Sequence, residues 1–214
     1  MAKSLKDQNR WHLWLAMAAN IIVFYALMQS DEIAISGFKV LIDQATHLLP
    51  VGLAIVVTTV VNGLMSADAK ARLVFLRWRH ALPGHRAFSQ YAMSDSRIDV
   101  VKLKKACGNK FPDDPAEQNS TWYRLYKSVD KASAVVQVQR DFLLTRDYAA
   151  FSALCAIAFG LAALAKVQPL RVSLAYLAFL VLQFMLARQA AANYGARFVT
   201  TVMAHKAAPS APKT

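Results

Sequence analysis

Four long apolar runs divide the chain, two on each side of a polar and basic insert, residues 67–146. The first three runs are each 18 residues long. An α-helix rises 1.5 Å per residue, so each of them would form a helix about 27 Å long, close to the ~30 Å hydrocarbon core of a bilayer. The pattern predicts four membrane-spanning helices, at about 11–28, 48–65, 148–165 and 172–187.

A soluble all-α protein with buried apolar helices is the alternative, because 18 residues lies at the short end of the spanning range. Against it, none of the first three runs contains Asp, Glu, Lys or Arg between its ends. Aromatic residues typical of a membrane–water interface also lie at the run ends, for example Trp11, Trp14 and Tyr148. The first run follows basic residues, as a signal peptide does, but its length and poor cleavage site favour a retained span.

The basic residues are distributed unevenly around these predicted spans. With four spans, the N-terminal tail, the insert and the C-terminal part lie on one side, and they hold 22 of the 25 Lys and Arg. The positive-inside rule makes that side cytoplasmic. We therefore expect a bacterial inner (cytoplasmic) membrane protein with both termini in the cytoplasm. Its net charge of +12 suits an anionic leaflet or an anionic partner.

The insert has helix signals of its own. Good helix formers follow Met65, so the second helix is expected to continue to about Ala81, before Pro83-Gly84. A short helix is expected over 99–107, and a second one begins at the cap Asp114. A single long helix is predicted over 130–166, because this stretch has no Pro.

The predicted fold is therefore all-α, a four-transmembrane-helix protein with a small helical cytoplasmic domain inserted between spans two and three. The expected parts are a first transmembrane hairpin, the basic cytoplasmic domain, a second transmembrane hairpin with a cytoplasmic helix extension, and a disordered tail. They cover residues 1–66, 67–146, 147–205 and 206–214. In the connection between the first two spans, an amphipathic surface helix and a partly ordered loop are equally compatible with the sequence.

One basic cluster is the first candidate site. Arg forks match phosphate geometry, and Trp suits a membrane interface. The cluster is expected to bind an anionic ligand or lipid headgroup; the alternative is ordinary anchoring with salt bridges to Asp95 or Asp99. Its two histidines are five residues apart, which is not a metal-binding spacing. The cluster comprises Arg77, Trp78, Arg79, His80, His85 and Arg86.

Two further sets of residues lie within the predicted spans. Uncharged polar residues there are expected to bond between helices, or to line a polar path. The third span has small residues four positions apart, which permit close helix packing within the hairpin or between subunits. The polar set is Asn20, Thr58, Thr59, Asn62 and Gln183, and the small set is Ser152, Ala156 and Gly160.

The chain lacks the common signatures of phosphate loops, serine nucleophiles and zinc proteases, namely G-x-x-x-x-G-K-[ST], G-x-G-x-x-G, G-x-S-x-G and H-E-x-x-H. Its two cysteines, Cys107 and Cys155, fall in the insert and in the third run, so no disulfide is expected. We predict no catalytic residue, no metal and no cofactor.

These observations favour a non-enzymatic, oligomeric membrane sensor or effector. Its cytoplasmic domain would bind a partner protein or an anionic ligand, and its membrane helices would carry the response, such as altered permeability in a stress or anti-phage setting. A scaffold or accessory subunit of a transporter and an interfacial lipid-modifying enzyme are the alternatives. The expected partners are the bilayer, further copies of the chain and a cytoplasmic protein, with nucleic acid or a nucleotide as an alternative ligand.

Overall fold

A computed structural model describes residues 5–29, 35 and 49–208. These residues form helices and connections, without a strand among them, which confirms the all-α class. The α-helices are α1 (Leu5–Met28), α2 (Leu49–Leu64), α3 (Ala67–Phe75), α4 (Val100–Ala106), α5 (Pro115–Val129), α6 (Ser133–Lys166) and α7 (Leu170–Ala207). A 3₁₀ turn (Pro83–Arg86) and a π-helical turn (Ala87–Tyr91) lie between α3 and α4.

Three helical stretches within the described residues are long and apolar enough to cross a membrane: Trp11–Met28, Ser133–Lys166 and Leu170–Ala207. In the apolar 18-residue part of each stretch, between 17% and 39% is buried within the protein. Most of this apolar surface therefore faces outward. Helix α2 coincides with the second predicted span but has 16 residues, which is short for a span. That α2 crosses the membrane therefore stays a prediction.

The expected continuous helix from the second span to Ala81 is wrong. Helix α2 ends at Leu64, and α3 begins at Ala67 after a break. The Ser66 hydroxyl accepts a hydrogen bond from the Ala69 backbone N–H at 3.1 Å, which is the geometry of a helix N-cap. Helix α3 then ends at Phe75, because Leu76 adopts a left-handed backbone with φ of 49°.

The two helices of the insert, α4 and α5, begin where the sequence predicts them, and Asp114 is the expected cap, while the capping role of Asp99 is an additional observation. The Asp99 carboxylate accepts the Lys102 N–H at 3.0 Å, and the Asp114 carboxylate accepts the Ala116 N–H at 2.9 Å. Gly108 follows the end of α4, and its φ of 85° suits glycine. Local sequence signals were sufficient here because caps satisfy the free N–H groups of the first turn.

The chain divides into two compact units. One unit combines the described residues up to Lys70 with Asp147–Arg188, and the other combines Ala71–Arg146 with the residues from Gln189 onward. The end of α7 therefore belongs with the polar insert, which the sequence assigned to a separate domain. Helix α7 reaches Ala207, slightly beyond the predicted start of the tail. Residues 209–214 and most of the loop after α1 lie outside the described residues.

Aromatic residues fill the core of the second unit. The Trp122 ring meets Phe198 edge-on, with ring centroids 5.2 Å apart. Gly195 lets α7 approach the rings of Phe75 and Phe142 closely, since a Cβ at this position would lie 2.8 Å from Phe75 Cζ and 3.0 Å from Phe142 Cε2. The buried side chains of the insert and those of the last turns of α7 belong to one hydrophobic cluster, so α7 completes this core.

In the first unit, α6 and α7 form an antiparallel pair around Pro169, in the region of the predicted second hairpin. A Cβ on Gly160 would lie 2.6 Å from Leu177 Cδ1, so the two helices approach closely at this glycine. Phe24 of α1 stacks on Phe159 of α6, with ring centroids 5.0 Å apart. Gly160 thus packs against α7 within the hairpin.

Candidate functional site

The predicted basic cluster is not a single surface. Residues 76–82 leave the helix, with left-handed φ values of 49° at Leu76 and 51° at His80. Arg77, Trp78, Arg79 and His80 are exposed, and Trp78 retains 84% of its accessible surface. Arg86, at the end of the same cluster, is instead only 9% exposed. The cluster therefore separates into an exposed segment and a buried guanidinium.

Two aromatic rings enclose the Arg86 guanidinium. Its Cζ lies 5.2 Å from the centre of the Phe75 ring and 5.9 Å from the centre of the Tyr91 ring. Its Nη2 donates a long hydrogen bond of 3.4 Å to the Tyr91 hydroxyl. The Nε and Nη1 atoms are buried and have no hydrogen-bond partner among the residues that the structure describes. Cation–π contacts account for part of the burial of this charge, but they satisfy none of these N–H groups.

Salt bridges from the cluster to nearby carboxylates were the alternative interpretation. Asp95 instead pairs with Arg97 at 2.6 Å, and Asp99 pairs with Lys102 at 3.2 Å. The hydrogen bonds from the Arg97 side chain hold the pKa of Asp95 well below its usual range. The backbone N–H of Lys102 is the main cause of the lowered pKa of Asp99. Both carboxylates are thus engaged locally, and neither neutralises Arg86.

His85 lies between the exposed segment and Arg86. It is half-buried, and its Nδ1 is 3.3 Å from the Leu82 carbonyl oxygen. The rings of His80 and His85 are 5.0 Å apart between centroids. No group of three His, Cys, Asp or Glu among the described residues has the arrangement of a metal site. The two histidine rings are therefore close neighbours in the structure.

Gln118 supports this region, and sequence reasoning missed it. The side chain is 2% exposed, and its Oε1 accepts three hydrogen bonds of 3.1 Å, from the N–H groups of Phe88 and Ser89 and from the Ser89 hydroxyl. It thereby caps the π-helical turn that carries Tyr91. A glutamine on an amphipathic helix resembles any surface residue, so no sequence signal distinguished it.

A buried ion pair in the first unit was also missed. Lys70 Nζ lies 3.0 Å from Asp147 Oδ1, and these residues are 5% and 9% exposed. The pair joins α3 to α6 across 77 positions of sequence. Only the tertiary fold brings these charges together, because each one alone resembles an ordinary charge next to an apolar run.

The predicted polar intramembrane residues have different roles. Thr59 contacts Met17 of α1, with Oγ1 3.8 Å from the sulfur, and Gln183 of α7 donates to the Tyr148 hydroxyl of α6 at 2.6 Å. Asn20 bonds within its own helix, to the Ala16 carbonyl. The Asn62 Oδ1 is buried without a hydrogen-bond partner among the described residues. The side chain of Thr58 lies outside the described residues.

The small residues of α6 pack inside the protein. Ser152 is 1% exposed, and its hydroxyl bonds to the Tyr148 carbonyl at 2.9 Å. Ala156 is half-buried beside the cluster that contains Leu180. Together with the contact of Gly160 against α7, this places the set in the core of the hairpin.

Both cysteines, Cys107 and Cys155, are free. Cys107 is half-buried, and burial raises the pKa of its thiol. A thiol with a raised pKa is a poor nucleophile, since the thiolate is the reactive form. Neither position therefore suggests thiol chemistry.

No family model, no curated protein and no solved structure significantly matches this chain. The class that the fold defines is an all-helical protein in which three helices of the described part of the chain are long and apolar enough to cross a membrane. Any function must therefore be inferred from the chemistry of the site.

Proposed function

We propose that this protein is a four-span membrane sensor or effector whose basic helical domain binds an anionic ligand or an acidic group of a partner. In this proposal α2 also crosses the bilayer, as the second span in chain order, and the binding point is Arg86. The observation that carries the proposal is a buried guanidinium with unpaired Nε and Nη1 atoms.

The energetic argument concerns an uncompensated charge. Buried charges in proteins are normally paired, because the desolvation penalty of an unpaired ion amounts to several kcal/mol. Arg86 is held between Phe75 and Tyr91, and no carboxylate among the described residues forms an ion pair with it. An entering phosphate or carboxylate would supply the missing charge and accept bonds from the free N–H groups. The unliganded site is therefore poised for an oxyanion.

The response would travel along helices that the two units share. The boundary between the units falls inside α3 and inside α6. Helix α3 carries Lys70 of the buried ion pair and, one turn later, Phe75 of the Arg86 site. A shift of the Phe75 ring on ligand binding would thus act on a helix that also holds Lys70. We propose this as the route from ligand to membrane helices.

Replacing Arg86 with methionine tests the site. In anion-free buffer the full-length Arg86→Met variant should be at least as thermostable as the wild type, because an uncompensated buried charge is removed and an apolar chain replaces it. Pyrophosphate at about 100 times its dissociation constant stabilises a one-site protein by ~2.7 kcal/mol. For a chain of this size that is a rise in Tm of roughly 5–10 °C. The rise should occur in the wild type and be absent in the variant.

Arg79→Gln is the matched control, because Arg79 belongs to the same cluster but is exposed. It should keep the pyrophosphate response. General salting effects would act on all three proteins alike. A methionine variant that is markedly less stable than the wild type without anion, or that keeps the full pyrophosphate response, would show that Arg86 is structural.

The proposed topology makes a separate prediction. If α2 crosses the bilayer and the basic segments face the cytoplasm, reporters fused after Lys110 and Ala207 should give cytoplasmic signals, and one after Ser36 should give a periplasmic signal. Alkaline phosphatase and green fluorescent protein fusions measure this directly in bacterial cells. A periplasmic signal at Lys110 would contradict both the four-span proposal and the inner-membrane orientation.

A further inference from the structure

The exposed segment Leu76–His80 has an unusual composition for a protein surface. Two large apolar side chains are exposed, Leu76 at 61% and Trp78 at 84%. Arg77 and Arg79 alternate with them, are also exposed, and form no ion pair with a described carboxylate. A single exposed apolar residue is ordinary, but Trp alternating with Arg is typical of segments at a membrane–water interface.

The backbone of this segment is distinctive as well. Leu76 and His80, at its two ends, have left-handed φ values of 49° and 51°, which side-chain-bearing residues rarely adopt. They interrupt the helix immediately after Phe75, so the segment is a loop and not an extra turn of α3. The loop thus presents its large apolar side chains to solvent on a backbone with unfavourable angles, and a binding partner would account for both features.

We propose that Leu76–His80 is an interfacial loop that docks on an anionic bilayer surface. Leu76 and Trp78 would enter the headgroup layer, while Arg77 and Arg79 would contact lipid phosphates. Eleven residues separate Leu64, the end of α2, from Leu76. Of these, the nine of α3 cover about 14 Å, so the chain length permits contact with the leaflet surface that α2 would leave.

This inference is independent of the Arg86 site. Arg86 is buried and lies beyond the loop, whereas the docking residues are the exposed members of the predicted cluster. The loop makes the protein responsive to lipid composition, and Arg86 makes it responsive to a ligand. Either property would survive the failure of the other.

A fluorescent label on the loop tests the docking. The full-length protein first has its two cysteines removed by Cys107→Ser and Cys155→Ala. A single cysteine is then introduced by Trp78→Cys and labelled with a polarity-sensitive fluorophore. The fluorophore keeps an apolar group at this position. The protein is placed in nanodiscs of phosphatidylcholine, with or without phosphatidylglycerol. With phosphatidylglycerol the emission should shift to the blue, and quenching by acrylamide, a neutral quencher, should fall several-fold.

Two matched variants define the result. A label at Met93→Cys, a position 72% exposed in the same unit, should respond equally in both lipids. Adding Arg77→Gln and Arg79→Gln to the protein labelled at position 78 should reduce the docking equilibrium about 25-fold, since each basic residue at an anionic surface contributes roughly a five-fold factor. Thermal unfolding should be unchanged by these two substitutions because both side chains are exposed.

Any one of four outcomes would overturn the proposal. One is equal quenching of the position-78 label in both lipids. Another is a lipid response of the position-93 label as large as that of the position-78 label. A third is a response of the position-78 label that persists without both arginines. Protection of the position-78 label by added nucleic acid, with none from phosphatidylglycerol, would also overturn it and assign the loop to nucleic acid.

Discussion

Replacing Lys70 with methionine should lower the free energy of unfolding by about 3–5 kcal/mol, the usual cost of breaking a buried ion pair. Lys70 and Asp147 are both nearly inaccessible, and their charged atoms are 3.0 Å apart. Methionine keeps much of the length of the side chain but removes the Lys70 ammonium from the buried Asp147 carboxylate. The loss should be measurable as equilibrium unfolding of the full chain in mixed detergent and SDS micelles.

The double variant Lys70→Met/Asp147→Leu distinguishes a lost attraction from a stranded charge. If the stranded carboxylate causes most of the loss, the double variant should be far more stable than Lys70→Met alone, and close to the wild type. Lys131→Met, at an exposed position, is the control and should change stability by about 0.5 kcal/mol or less. A Lys70→Met protein as stable as this control would contradict the prediction.

Local signals predicted local structure well. The apolar runs predicted the positions of α1, α6 and α7, since a long helical stretch without charges needs an apolar environment on every side. The helix that starts after Asp99 and the cap at Asp114 were predictable because a helix start is set within one helical turn. Both kinds of signal lie in contiguous sequence.

The break between α2 and α3 shows where such signals fail. Residues after Met65 are good helix formers, and propensity alone favours one continuous helix. Ser66 competes with that continuation because its hydroxyl caps the following helix through Ala69. The difference between these outcomes is small on the scale of helix propensities, so composition does not decide it.

The sequence predicted which residues form the basic cluster, but not which of them are buried. Spacing identified the cluster, yet it treated Arg86 and Arg77 as equivalent. Their difference comes from the chain folding back at Gly84, where a Cβ would overlap Asn119 Oδ1 and lie 2.9 Å from Trp122 Cε3. That close contact with α5 buries the end of the cluster, and it depends on residues some 35 positions away.

The same contact makes Trp122 the residue on which the second unit most depends. Trp122 is 7% exposed, its Nε1 donates to the Val199 carbonyl at 3.4 Å, and its ring meets Phe198 of α7. Replacing it with alanine should cost about 3–5 kcal/mol, because a large cavity opens between α5, Gly84 and the end of α7. Trp122→Phe should lose less, since it keeps an aromatic ring and forfeits mainly the bond to Val199.

Tyr123→Ala is the matched control, an adjacent aromatic position that is 51% exposed, and it should cost about 0.5 kcal/mol or less. Limited proteolysis of the full chain in detergent would locate the damage. In Trp122→Ala the cleavage sites should appear within residues 71–146, while the pair of helices α6 and α7 stays protected over 148–187, because that hairpin has its own packing through Gly160 and Leu177. Equal cleavage of the Trp122 and Tyr123 variants would mean that the core of this unit does not rest on the contact between α5 and α7.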